Sequence, residues 1–328
     1  MKHTHKKLPN SQVELEVVLD HKEFLDYYQP VHDQALNSVH LKGFRPGTAP
    51  KELAEKAVDQ EKVFDEAVNR AVRENLQEIT KDNNWQLIDQ PRIEVVDTNP
   101  AAGIGLKYKA TLTIFPEVKL GNYKKLARQV LAEKKEAKVT DEEVNQAIQW
   151  ILKSRAKPDD GKETPELTDE FVKSLGKFAS VEELKNSVRK GLEQEKSAKE
   201  KERINLKLLE SIREASDFDL PKIMVEKTLN NLLAEYGPMA DSEIKKEELR
   251  KKLDTEAEIS VKNNLILYQI AKEEKLEPSE EEVAKESNQF LAHSQFSKQP
   301  KIDPQRLYDY IYGMVQNRKV FQYLENLK

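Results

Sequence analysis

The apolar stripes on this chain's helical segments are narrow, and that limits what it can build. Val225, Leu229, Leu232 and Tyr236 fall at i, i+4, i+7 and i+11. Leu307, Ile311, Met314 and Val315 fall at i, i+4, i+7 and i+8, again one face of a helix. The opposite faces are charged, as in EQEKSAKEKER at 193–203, which reads as a solvated helix face. A helix that is apolar along one thin line can be sealed by one or two neighbours but cannot sit inside a deep globule. Such helices are expected as open arms. The composition points the same way, with 34% charged residues, only 10 glycines in 328 residues and 7% aromatics. A compact, glycine-rich α/β enzyme is disfavoured.

The net charge of −5 gives no overall basic field to draw the chain onto nucleic acid, so any such contact must be local. There are no cysteines, which excludes disulfides, thiolate metal sites and cysteine nucleophiles and fits a reducing compartment. The start, MKHTHKKLPNSQ, is basic but lacks the apolar run of a signal peptide, and no stretch reaches transmembrane length. A soluble, cytoplasmic protein is expected. His3 and His5 have an HxH spacing, but they sit on a terminus expected to be disordered and bring no partner ligands.

Val13, Leu15, Val17 and Leu19 alternate with polar neighbours and predict a half-buried strand. Helical patterning follows to about residue 41. A second helix is expected over 50–82, with Leu53, Val58, Val63, Phe64, Ala67, Ala71, Leu76 and Ile79 facing inward. WQLIDQPRIEVVD and LKYKATLTIFPEV return to strand character. Residues 1–118 therefore read as one small α+β domain. Residues 119–165 read as a linker, charged and extended or loosely helical, and a first arm helix whose start carries a capping box of Thr140 and Glu143. Residues 166–328 read as all helical, with Ser180/Glu183 and Ser279/Glu282 repeating that box and Pro221 opening another helix. The expected fold class is α+β: a small N-terminal α+β domain followed by an elongated all-α domain with helical arms.

The motifs of common enzymes are missing: there is no GxGxxG, GxxxxGK[ST], HExxH or GxSxG. Acidic pairs occur throughout a chain with 59 Asp and Glu, so runs such as DEE at 141–143 carry no catalytic information. Their ordinary place is the first turn of a helix, where negative charge complements the dipole. No cofactor and no metal are expected.

One loop is overbuilt for a turn. HLKGFRPGTAP (40–50) joins two helical stretches. Gly43 suits a left-handed end to the first helix and Pro50 the start of the second. Neither role accounts for Phe44 and Arg45 side by side at the tip. The segment GFRPGTAP resembles the ribosome-binding loop of the trigger factor family, G-F-R-x-G-x-x-P, at Gly43, Phe44, Arg45, Gly47 and Pro50. The strand–helix–loop–helix–strand–strand order of 1–118 is similar to that family's N-terminal domain. PELTDEFVKSLGKFASVEELKNSVRKGLEQE (165–195) and DFDLPKIMVEKTLNNLL (217–233) resemble its helical C-terminal domain, whose core is also similar to that of SurA.

The resemblance implies an ATP-independent chaperone docked at the polypeptide exit of the large ribosomal subunit, against a ribosomal protein and rRNA. The implied docking residues are Lys42, Gly43, Phe44, Arg45, Pro46, Gly47 and Pro50. Pro46 and Thr48 stand where the family often carries lysine, which implies a weaker electrostatic grip on RNA. Nascent and unfolded chains are the implied clients, and self-association as a homodimer off the ribosome stays open. Candidate client-lining residues are Ile223, Met224, Leu232, Tyr236, Phe290, Tyr308, Tyr312 and Met314. The same positions suit inter-helix core, and exposure separates the two readings.

Trigger factors usually carry an FKBP-type prolyl isomerase domain between the first arm helix and the PELT segment. Here the gap at about 157–166 holds about ten residues, whereas an independent domain needs at least about 50. That activity is expected to be absent. A prolyl isomerase proper is therefore the weaker alternative, as is a ribosome-free holdase of the SurA type, which lacks such a loop.

Overall fold

The computed structural model describes all residues except 45–47, 49, 99–103, 156–165, 175, 177, 238–242, 294–302 and 328. The first main elements are β1 (Lys2–Leu8), β2 (Gln12–Asp20), α1 (His21–Ser38), α2 (Lys51–Ala57), α3 (Gln60–Asp82), β3 (Arg92–Asp97) and β4 (Ile104–Thr113). Helices follow: α4 (Tyr123–Leu131), α5 (Asp141–Arg155), α6 (Asp169–Ser174), α7 (Val181–Glu214), α8 (Lys222–Tyr236), α9 (Glu243–Glu273), α10 (Glu280–His293) and α11 (Pro304–Glu325). The chain forms two compact units, Met1–Lys119 with Phe218–Lys262, and Leu120–Asp217 with Asn263–Lys328.

In the first unit the antiparallel sheet has the order β1-β2-β4-β3. The period-two residues of β2 pair with those of β4: Val13 with Leu112, Leu15 with Ala110, Val17 with Tyr108 and Leu19 with Leu106. All eight are buried, and Phe24 and Val31 of α1 with Val63, Ala67, Ala71, Leu76 and Ile79 of α3 complete the core. Each fully buried side chain of this size contributes about 1.5–3 kcal/mol relative to exposure. In the same unit, Leu229 of α8 packs with Leu253 and Ala257 of α9.

Four expectations for this unit are corrected. The terminus expected to be disordered is β1, which pairs with β2 from Lys2 opposite Val18 to Leu8 opposite Gln12. Main-chain bonds hold this strand while most of its side chains are exposed, so it leaves no alternating apolar signal. His5 meets Trp85 edge-on, with centroids 5.0 Å apart. The helix expected over 50–82 is two helices, because Asp59 caps α3 by accepting the Lys62 N–H at 3.3 Å. Leu53, on the short α2, is exposed rather than inward. The first helix stops at Ser38 rather than near residue 41.

The second unit is helical. Val144, Ile148 and Leu152 of α5 form one cluster, and Val283 of α10 with Ile311 and Val315 of α11 form another. The capping boxes form as expected: Thr140 Oγ1 accepts the Glu143 N–H at 3.3 Å, and Ser279 Oγ accepts that of Glu282 at 3.2 Å. Ser180 Oγ accepts the Glu183 N–H at 3.3 Å, but the Glu183 carboxylate reaches back to the N–H of Ala179, one residue earlier. The segment after 119 is not a loose linker at its start, since α4 buries Tyr123, Ala127 and Val130.

The charged face 193–203 is also more than solvated. Lys196 Nζ donates to the Lys138 carbonyl at 2.8 Å and to Glu143 at 2.6 Å. Glu200 accepts the Lys135 N–H at 2.7 Å while Arg203 donates to its carboxylate at 2.8 Å. Lys207 pairs with Glu133. The Arg203 guanidinium, aided by the Lys135 N–H, holds the Glu200 carboxyl down at about 2. These charges fasten residues 133–143 along α7, a role that periodicity alone does not reveal.

Candidate functional site

The loop between α1 and α2 starts where the last carbonyls of α1 run out of N–H donors. The Val39 N–H closes on the Ala35 carbonyl at 3.0 Å, and Val39 itself is extended. Five residues on, the Phe44 N–H donates to the Leu41 carbonyl at 3.1 Å, closing a tight turn. Gly43 occupies the third position of that turn with φ +92°, where glycine avoids the clash of a Cβ with its own backbone. Gly43 thus serves this turn rather than the helix end. Among the described residues, and its two chain neighbours aside, no atom lies within 4 Å of where its Cβ would stand, so it is the backbone conformation that favours glycine.

The turn presents Phe44 outward, 43% exposed, beside exposed Lys42. Phe44 does not fold back onto its own domain. Pro50 opens α2, its carbonyl accepting the Leu53 and Ala54 N–H groups at 3.0 and 3.1 Å. Arg45, Pro46 and Gly47 lie outside the described residues. Exposed Leu53 adds an apolar group on the first helical turn after the loop, a position that sequence patterning assigned to the core. At the root of the loop, an open cleft of about 460 Å³ is lined by Val31, Ala35 and Val39 on one side and Val58, Asp59 and Lys62 on the other. Lys62 pairs with Asp59 at 2.9 Å, and that bond lowers the Asp59 carboxyl below its ordinary value.

The residues proposed from sequence to line a client surface divide by exposure. Leu232 packs against the Leu229 cluster, and Phe290, Tyr312 and Met314 pack against the Val283 cluster. Ile223 and Met224 are half-buried at the start of α8. Tyr236 and Tyr308 are exposed. Sequence reasoning missed Tyr310, 60% exposed on α11 with its ring 5.9 Å from that of Phe290. It also missed Trp150 on α5, 71% exposed, and Leu206 on α7. Their signal was available: each is a large apolar residue off its helix's buried line, as Trp150 is off the line of Val144, Ile148 and Leu152.

Among the described residues no cluster of His, Cys, Asp and Glu could hold a metal ion, and no helix is long and apolar enough to cross a membrane. An α+β unit presenting a phenylalanine on a glycine turn, together with helices that expose aromatic side chains, is the arrangement of a protein with apolar groups open to a partner. The comparisons with known proteins narrow this. The model for bacterial trigger factor protein matches residues 1–151, and that for the trigger factor C-terminus matches 180–326. The chain belongs to the trigger factor family, whose members are ribosome-associated chaperones.

The trigger factor of Carboxydothermus hydrogenoformans is 23% identical with full coverage of both chains, and that of Desulforamulus reducens is 24% identical over 100% of this chain and 98% of its own. The trigger factor of Caldicellulosiruptor saccharolyticus is 23% identical over 86% of this chain and 85% of its own. A solved structure from work on promiscuous substrate recognition by the trigger factor chaperone matches over the whole of both chains, with a TM-score of 0.63 at 17% identity. The alignment with the Carboxydothermus protein runs over 437 positions against 328 residues, so at least 109 of them face no residue here. The two family matches are separated only by residues 152–179, too few for an independent domain of at least about 50 residues. The chain lacks the isomerase domain. The joint expected at 157–166 lies almost wholly outside the described residues.

Proposed function

We propose that this protein docks at the exit site of the large ribosomal subunit through Lys42, Gly43, Phe44, Arg45, Pro46, Gly47 and Pro50, and that its helices hold nascent or unfolded chains without ATP. The observation that carries the reading is the outward Phe44 on a turn only glycine favours. An exposed aromatic beside cations suits a contact that mixes an apolar anchor with charge-assisted bonds to a ribosomal protein and rRNA. Exposed Tyr236, Tyr308, Tyr310 and Trp150 supply scattered apolar contacts, so clients are held weakly at several points and leave as they bury their own apolar residues. The place of action is the cytoplasm. The protein is a chaperone without prolyl isomerase activity, because the interval between its family matches is too short for the catalytic domain.

Ribosome co-sedimentation of the full chain beside a Phe44→Ala, Arg45→Ala variant tests the docking. The wild type is expected in the pellet and the variant in the supernatant, and equal pelleting of both sinks the reading. A proline-limited refolding assay tests the missing activity. Acceleration by substoichiometric protein would refute it.

A further inference from the structure

β3 is an edge strand whose side chains are ill matched to their surroundings. Ile93 pairs with Ala110 and Val95 with Tyr108. Alternation therefore places both on the same side of the sheet as those two fully buried residues. Yet Ile93 is 39% and Val95 47% exposed, because the layer that seals Tyr108 and Ala110 stops short of them. The space left between β3 and α3 is a groove of about 430 Å³, lined by Val72, Leu76, Leu87 and Ile93 with exposed Arg73 among its borders.

β3 pairs with β4 on one side only, and no strand among the described residues covers its other edge. Natural sheets blunt such edges with lysine, proline or bulges. Here an irregularity between Val95 and Asp97 interrupts the far end, while Arg92–Val95 stays regular and open. A free strand edge beside an apolar groove meets the two needs of strand addition: main-chain groups to extend the ladder, and a recess for alternate side chains. Arg73 has no carboxylate partner among the described residues, so the border of the groove is complementary to negative charge.

We infer that this groove takes an extended segment of unfolded polypeptide, apolar at alternate positions and acidic opposite Arg73, added as a fifth strand on β3. The inference rests on the chaperone reading above but not on the docking loop. It adds to the helical surfaces a site that recognises main chain, and so it accepts many sequences that share alternation and one acidic position.

The test uses the full chain and a fluorescein-labelled decapeptide that alternates valine with threonine and carries one glutamate, with a twin bearing lysine in its place. The wild type is expected to bind the glutamate peptide more tightly than its twin. An Ile93→Lys, Val95→Lys variant should weaken binding at least about tenfold, since lysine blocks both the groove and the edge. Arg73→Glu, an exposed change that spares the fold, should reverse the preference between the twins and decides the matter if the double variant melts early. Equal affinities in all three proteins, or no binding by the wild type, overturn the inference. A concentration-dependent dimer in sedimentation velocity that the double variant abolishes would make a second copy the occupant and overturn it as well. Aggregation suppression by the wild type, measured alongside, keeps the readings apart. Its absence removes the chaperone reading, while its presence with unchanged peptide affinities removes only the β3 site.

Discussion

The carboxylate of Asp219 accepts the backbone N–H of Ser11 at 2.8 Å, joining residues 208 positions apart in sequence. The same carboxylate takes the Asn10 N–H at 2.7 Å, and Ser11 Oγ donates to the Asp219 carbonyl. Asn10 and Ser11 have φ of +63° and +53°, which turns both N–H groups away from the β1–β2 ladder, and Ser11 is buried. Asp219→Ala would strand a buried donor, at about 1–3 kcal/mol per unsatisfied group. The urea midpoint should fall accordingly, with Asp219→Asn recovering part through its remaining oxygen. A wild-type midpoint for Asp219→Ala would show that water replaces the carboxylate without penalty.

Gly43→Ala separates conformation from contact in the docking loop. Its Cβ would meet no atom of the described residues beyond its chain neighbours, so the penalty expected is that of the backbone at φ +92°, about 1–2 kcal/mol for an L-residue. The loop is expected to give up its turn and swing Phe44 aside, reducing ribosome pelleting severalfold while the thermal midpoint stays put. A drop in melting temperature with normal pelleting would reverse that assignment.

Two other glycines should respond with opposite signs to the same substitution. A Cβ on Gly105 would stand 2.4 Å from the Asp20 carbonyl oxygen and 2.5 Å from Phe24 Cβ, so Gly105→Ala must displace the start of α1 from β4, costing about 1–3 kcal/mol. Gly191 lies inside α7 with open space around it, and Gly191→Ala should stabilise by about 0.5–1 kcal/mol. Paired chemical-denaturation curves decide both, and a loss of stability in Gly191→Ala would mean that α7 needs the glycine.

Acid should weaken the second unit through Glu274. Lys124 approaches its carboxylate at 2.7 Å and the Tyr123 hydroxyl donates to it at 2.6 Å; these bonds, the lysine's first, hold its pKa at about 2. Because the folded value lies below the ordinary 4.3 or so, the stabilisation is complete above that pH and is lost as pH falls from there through about 2. Glu274→Gln should lower stability at pH 7 and flatten the acid limb of the stability profile between those values. An acid limb as steep as that of the wild type would assign the acid sensitivity to other carboxylates.

Much of the architecture was legible because it rests on short-range pattern. Alternation in β2 and β4 gave strands where they were expected, and Thr140/Glu143 and Ser279/Glu282 closed their capping boxes. The glycine at 43 announced a special turn, though not that the helix had already ended at Ser38. The candidate client surface was only partly legible. Leu232 and Tyr310 are both large apolar residues on helices, yet one is packed in a cluster and the other is exposed.

What the sequence determined by itself is the set of local states: which segments alternate, which carry a helical stripe, where a helix can start, and where only glycine fits. Those follow from interactions within a few residues. The partners of each surface were decided by the tertiary structure alone. It made β1 a strand with Leu8 as its one apolar side chain, gave Asp219 the turn at Asn10 and Ser11, fastened 133–143 to the charges of α7, and left Ile93 and Val95 exposed on β3. Burial is a property of what lies opposite a residue, and residues far apart in the chain supply it.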